Sequence, residues 1–213
     1  MFDLRSSFSS VRSVLVVGAH PDDIEIGCGG TIATLHGANP GIEFHWVVLT
    51  ATQERSQEAR KGALRFVGEA LASIEINDFR ERYLPYDPAV KEYFDQLGSK
   101  LSPDLVLSPW SEDAHQDHNT AGSLVGNTFR DHLILQYEIA KYDGDLGRPS
   151  VFVPLERETA EEKIDALFDC FPSQTGRDWF TRETFLGLMR LRGIESKAPS
   201  GLAEAFHAKK VVL

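Results

Sequence analysis

Val14-Leu15-Val16-Val17-Gly18-Ala19-His20-Pro21-Asp22-Asp23 is the stretch that decides the fold of this chain. Four apolar residues, three of them β-branched, stop at a glycine, as in a strand buried on both faces of a parallel sheet. A histidine and two adjacent aspartates stand where that strand runs out. Outward from it the same grammar recurs. Residues 27–34 open a helix that closes near Gly37, and 43–50 read as a second strand. A long helix is expected over 52–72, with Ala59, Ala63, Phe66, Val67 and Ala70 on its apolar side, then a short third strand over 74–79. Asp87 is placed to cap a helix over 88–101, with Pro88 at its first position. Residues 104–108 form a fourth strand ended by Pro109, 119–130 a helix and 133–139 a fifth strand. The expected fold is α/β, a mostly parallel sheet with helices on both faces and right-handed crossovers.

Beyond Tyr142 the pattern changes. Residues 143–149 are rich in turn formers, helices are expected over 158–171 and 177–192, and a terminal strand over 209–213. With no internal repeat and no low-complexity linker, the 213 residues read as a single domain, 1–213, with a helical C-terminal part.

A second cluster, His115-Gln116-Asp117-His118, follows the fourth strand as His20-Pro21-Asp22-Asp23 follows the first. Each has a structural reading: an aspartate capping the next helix, or a histidine loop capping the helix at Asn119. Ligands of open parallel sheets, however, bind outside the carboxyl ends of the strands, and both clusters fall there. Catalytic zinc takes three protein ligands of the His/His/carboxylate kind and keeps one position open for water. A spare carboxylate then acts as base, and a further histidine as acid or oxyanion stabiliser. The two clusters hold enough residues for all of these roles.

Composition narrows the partners. A formal net charge of −10 argues against nucleic acid and anionic membrane surfaces, and leaves neutral sugars or amides open as small-molecule substrates. Two cysteines, Cys28 and Cys170, make neither a disulfide framework nor a cysteine-rich zinc site. Residues 1–10 lack the apolar core of a signal peptide and 14–17 are too few to span a bilayer, so a cytoplasmic location without a membrane span is expected. A homo-oligomer is compatible with the sequence. Gly27-Cys28-Gly29-Gly30 fails as a dinucleotide fingerprint, because Ile32 occupies the last glycine position. His36, His45, His132 and His207 have no carboxylate at suggestive spacing and read as structural or surface residues.

The run from Ala19 to Thr31 (AHPDDIEIGCGGT) resembles the first signature of the LmbE-like, or PIG-L, deacetylase family, and His115-Gln116-Asp117-His118-Asn119 resembles its second. Weaker matches are Arg55-Ser56-Gln57-Glu58 and Ala203-Glu204-Ala205-Phe206. The resemblance implies a Rossmann-like fold and a divalent metal, commonly zinc, that serves to remove acetyl from N-acetylglucosaminyl compounds or their conjugates. It implies His20, Asp23 and His118 as ligands, Asp22 as general base and His115 as acid or oxyanion stabiliser. Asp117 would orient a histidine without touching the metal, and Arg55 would hold a polar substrate group or be a solvated charge. Tyr137, Glu138 and Glu204 are open as pocket residues. Three positions depart from the family pattern: Gln116 for Pro, Asp113 for a Tyr and Leu202 for another Tyr. Two other functions compete: a DHH-type metallophosphoesterase, which needs paired aspartates for two metals, and a sugar-binding descendant without catalysis.

Overall fold

A computed structural model describes residues 8–211. The first strand, β1 (Ser13–Gly18), is followed by α1 (Asp23–Ala38), β2 (Glu43–Val48), α2 (Gln53–Val67) and β3 (Leu71–Ile76). Next come α3 (Pro88–Lys100), β4 (Leu105–Pro109), α4 (Gln116–Thr128) and β5 (Leu133–Tyr137). The C-terminal part adds β6 (Val151–Pro154), α5 (Arg157–Cys170), α6 (Arg182–Ser196) and β7 (Ala203–Ala208). All seven strands join one sheet in the order β3-β2-β1-β4-β5-β7-β6. The pairings β3-β2, β2-β1, β1-β4 and β4-β5 are parallel, while β7 runs antiparallel to both β5 and β6.

Side-chain alternation along β1 divides the core. Val14 and Val16 pack with Phe44, Trp46, Phe66 and Phe171 on one face. Leu15 and Val17 pack with Phe94, Val106, Val125 and Phe129 on the other. Helices therefore cover both faces, as a strand without exposed residues requires. The order 3-2-1-4-5 reverses direction between β1 and β4, and a sheet of this kind opens a crevice at such a switch point. The loops carrying the two His/Asp clusters leave these two neighbouring strands.

Several boundaries differ from the sequence reading. Helix α1 begins at Asp23 and α4 at Gln116, so Asp23 and His118 sit in first helical turns rather than in loops. Helix α2 stops at Val67 because Gly68 takes φ 49, and β3 then starts at Leu71. Strand β6 has no sequence forecast: its four residues are all half-buried, without alternation, and Pro154 is tolerated because β6 is an edge. Helix α6 starts at Arg182 instead of 177, where the Thr181 hydroxyl accepts the Thr184 N–H. The terminal strand is Ala203–Ala208; of the expected 209–213, residues 209–211 are outside any strand and 212–213 lie outside the described residues.

Helix α1 is broken at Cys28, whose φ of −144° and ψ of 17° leave the helical region. A break frees backbone donors just after it and acceptors just before it, and buried ones must find partners. Glu204 of β7 accepts the N–H groups of Gly30 and Thr31 at 2.8 and 2.6 Å. Lys163 of α5 donates to the Ile26 carbonyl at 2.6 Å and to Glu204 at 2.6 Å. One buried ion pair thus seals both lips of the break. Gly27 lies against the ring of Tyr137, where any β-carbon would overlap it. Gly27 lets α1 approach β5, Gly30 lets it approach Leu155 and Glu204, and Gly29 lies against the Phe66 ring of α2.

Candidate active site

The two clusters meet at the carboxyl ends of β1 and β4. His20 Nδ1 lies 3.1 Å from His118 Nε2, and Asp23 closes the group, with Oδ1 3.3 Å from His118 Nε2 and Oδ2 3.4 Å from His20 Nδ1. Ligand atoms around a tetrahedral zinc, each about 2.0–2.2 Å from the ion, stand roughly 3.3–3.6 Å apart. The spacing of these three donors fits a small divalent cation. His115 brings a ring nitrogen within 4.8 Å of those of His20 and His118, beside the three donors.

The local field favours positive charge at the same point. Burial pushes His20 down, but the carboxylates of Asp23 and Asp117 outweigh it and lift the imidazole to about 10. His118 rises to about 9 against its burial, through Asp23 and Asp113. Asp23 opposes its own burial and falls well below the usual carboxylate range, because both histidines face it. The field that favours a proton on these rings also favours a cation in their place, since metal binding to histidine displaces the proton. The donor chemistry and the field agree.

Asp22 occupies the N-cap position of α1 with φ 91, yet its side chain caps nothing. A left-handed backbone at a non-glycine residue is strained, though aspartate tolerates it better than most. The strain turns the carboxylate away from the helix end toward Arg55, whose Nη2 is 3.0 Å from Oδ2 but off the line of a hydrogen bond. Burial and the neighbouring Asp23 raise Asp22 to about 7, with Arg55 opposing. Arg55 also donates to the Pro21 carbonyl at 2.5 Å and lies 3.6 Å from Glu58. It is a half-buried strut beneath the Asp22 turn rather than a solvated charge.

His115 stands at the other side, its ring centroid 5.0 Å from that of His20 and 4.6 Å from that of His118. Its Nδ1 accepts the Asp117 N–H at 3.3 Å, so it caps α4 as well. That bond assigns the proton of the neutral ring to Nε2. Burial and the two neighbouring histidines hold its pKa below the ordinary value. Asp117 is fully buried; its Oδ2 lies 3.2 Å from His20 Nε2 and accepts the Arg82 N–H at 2.6 Å. Gln116 donates to the Arg82 carbonyl, so the segment after β3 is tied to this loop twice.

Asp113 is the residue that motif reasoning passed over, having marked it only as a departure. Its Oδ2 lies 3.2 Å from His118 Nδ1 and 2.9 Å from Lys141 Nζ, and its Oδ1 accepts the His115 N–H at 2.7 Å. No spacing signal joins Lys141 to the cluster. The other open residues point elsewhere: the buried Tyr137 hydroxyl donates to the Val17 carbonyl, Glu138 pairs with Arg192 through both oxygens, and Glu204 pairs with Lys163. Leu202 is buried in the core.

Comparison with known proteins identifies the family and the fold. The profile of the PIG-L family, described as GlcNAc-PI de-N-acetylase, matches residues 15–129, more than half of the chain. The diacetylchitobiose deacetylase of Thermococcus kodakarensis is 33% identical over 138 residues, 58% of this chain and 51% of that one. The match thus spans about half the length of that relative. The N,N'-diacetylchitobiose deacetylase of Pyrococcus horikoshii superposes with a TM-score of 0.75 at 23% identity, over 97% of this chain and 87% of that one. GalB, a 4-carboxy-2-hydroxymuconate hydratase from Pseudomonas putida KT2440, superposes with a TM-score of 0.73 at 21% identity, over 95% and 98%. A fold shared by a deacetylase and a hydratase leaves the activity to be argued from the site. Both halves of the site, from His20 to His118, fall within the matched residues, and the chain belongs to the PIG-L family.

Proposed function

We propose that this protein is a metal-dependent N-deacetylase that hydrolyses the acetamide of an N-acetylated amino sugar or its conjugate. The observation that carries the reading is the convergence of His20, Asp23 and His118 on one point, with Asp22 and His115 beside them. His20, Asp23 and His118 would hold the metal, zinc being the ion that a His/His/carboxylate set suits best. When bound, such an ion polarises the amide carbonyl and lowers the pKa of a water molecule.

The chain's own residues supply the rest. Asp22, next to a ligand and held on its strained turn by Arg55, accepts the proton of the attacking water. His115 presents Nε2–H, which stabilises the developing oxyanion, and the proton that Asp22 has taken from the water passes to the departing amine. Asp117 fixes the ring of His20 from behind. The rest of the substrate would meet the segment after β3, which is tied to Asp117 and Gln116 and exposes Tyr86, an aromatic face suited to a sugar ring. Both cysteines are unpaired and buried, which suits a reducing cytoplasm. No described helix is long and apolar enough to cross a membrane.

The test is acetate release from N-acetylglucosamine and N,N'-diacetylchitobiose, with metal content measured in parallel. Turnover should vanish with a chelator and return with zinc, at one ion per chain. Absence of acetate from every N-acetyl sugar tried with the zinc-loaded protein would overturn the reading. Two ions per chain with phosphoester cleavage would replace it by the phosphoesterase.

A further inference from the structure

We propose that Asp113 and Lys141 are positioning residues for His118, Lys141 acting through Asp113, so that the loop after β5 sets the affinity of the metal seat. The inference rests on the metal reading of His20, Asp23 and His118. A ligating imidazole must carry its proton on the nitrogen that faces away from the metal, and its ring must not turn. In His118 the ligating nitrogen is Nε2, 3.3 Å from Asp23 Oδ1, and the far nitrogen, Nδ1, lies 3.2 Å from Asp113 Oδ2. A carboxylate accepts only, so this contact keeps a proton on Nδ1 and directs the lone pair of Nε2 at a metal that displaces the proton there.

The Asp113 carboxylate is itself unable to swing. It is buried, and its Oδ1 is held by the His115 N–H at 2.7 Å. Its Oδ2 is shared with Lys141 Nζ at 2.9 Å. Lys141 is in turn gripped by both oxygens of Asp145 at 2.8 Å, and Asp145 Oδ2 accepts the Ala114 N–H at 2.7 Å. The result is a closed ring of contacts between the loop after β4 and the loop after β5. A mere clamp between two loops would be complete with Lys141 and the backbone bonds. The same Asp113 oxygen that takes Lys141 is also aimed at His118, which joins the clamp to the ligand.

The experiment measures zinc and cobalt affinity by chelator competition, and the visible absorption of the cobalt-loaded protein, on the full chain. Asp113→Ala should bind metal about 10–100-fold more weakly, the usual cost of losing a ligand's orienting partner. Lys141→Met should weaken binding by a smaller factor, about 3–10-fold, and alter the cobalt spectrum; Lys141→Arg should restore both. Urea unfolding of the metal-free variants separates a metal effect from a loss of stability. Should Asp113→Ala fail to fold, the Lys141 pair decides alone. Metal affinity within twofold of the parent in the Asp113 variant, or an unchanged affinity and spectrum in Lys141→Met, overturns the proposal. A parent protein that takes up no zinc or cobalt instead overturns the metal reading beneath it, so the two failures are told apart.

Discussion

The two arms of the site are held by different means. The arm after β1 is held mainly by backbone geometry: Asp22 is locked in a left-handed turn over Arg55 and Asp23 is built into a helix, while the side chains of Lys163 and Glu204 brace that helix from behind. The arm after β4 also opens a helix, but its loop is held by side chains, with Asp113, Lys141, Asp145 and Gln116 bonding across loops and Asn119 bonding back to Ser111 within its own. A backbone-held arm shares the stability of the fold, whereas a side-chain-held arm can be adjusted one contact at a time. The two should therefore answer mutation differently.

The largest effect expected is chemical and divides the arms at once. Asp22→Asn should retain metal yet lose roughly 10²–10⁴-fold in acetate release, the range for a general base. His118→Ala, from the other arm, should lose the metal itself; full zinc occupancy by elemental analysis would contradict the ligand assignment. The next effect falls on the brace. Glu204→Gln leaves buried Lys163 without its ion-pair partner and removes one of the two acceptors at the helix break, and removing one partner of such a pair costs about 3–5 kcal/mol. Urea unfolding reads it directly, and a loss below about 1 kcal/mol would mean that the first arm does not depend on the brace. Gly27→Ala forces a methyl into the Tyr137 ring and should cost about 1–3 kcal/mol by the same measurement. Smallest is Thr52→Ala. The hydroxyl accepts the Arg55 N–H at the start of α2, and its loss should cost about 1 kcal/mol in thermal melting. A larger fall in turnover than in stability there would show that Arg55 transmits the cap to Asp22.

Much of this frame is legible in the sequence, because it rests on local grammar. Val14–Val17 and Leu105–Leu107 are apolar runs stopped by Gly18 and Pro109, and a two-sided buried strand needs little else. Asp87 caps α3 where the sequence places it, accepting the Ala89 N–H. His20 and His118 stand out because histidine beside aspartate at a strand end is chemically conspicuous. What the sequence hides is long in range. Strand β6 has no periodicity of its own and exists by pairing with β7. Asp113 looks like a lost tyrosine until Lys141, 28 residues on, lies beside it. Glu204 looks like a pocket acid until its bond to the Gly30 N–H, 174 residues earlier, places it at the break in α1. The family profile ends at 129, and the braces of both arms lie beyond that point.

The sealed break in α1 also bears on the order in which the protein takes shape. Lys163 and Glu204 reach back 137 and 174 residues to close it. Contacts of such separation form late, after the loop between them has paid its closure entropy. During synthesis the residues up to 129 emerge with both motifs present but with the helix that bears Asp23 still open at its middle. Until residue 204 has been made, the donors of Gly30 and Thr31 have no partner, and the sheet edge at β5 awaits β7. A ribosome-bound fragment ending near 150 should therefore expose that edge and depend on chaperones.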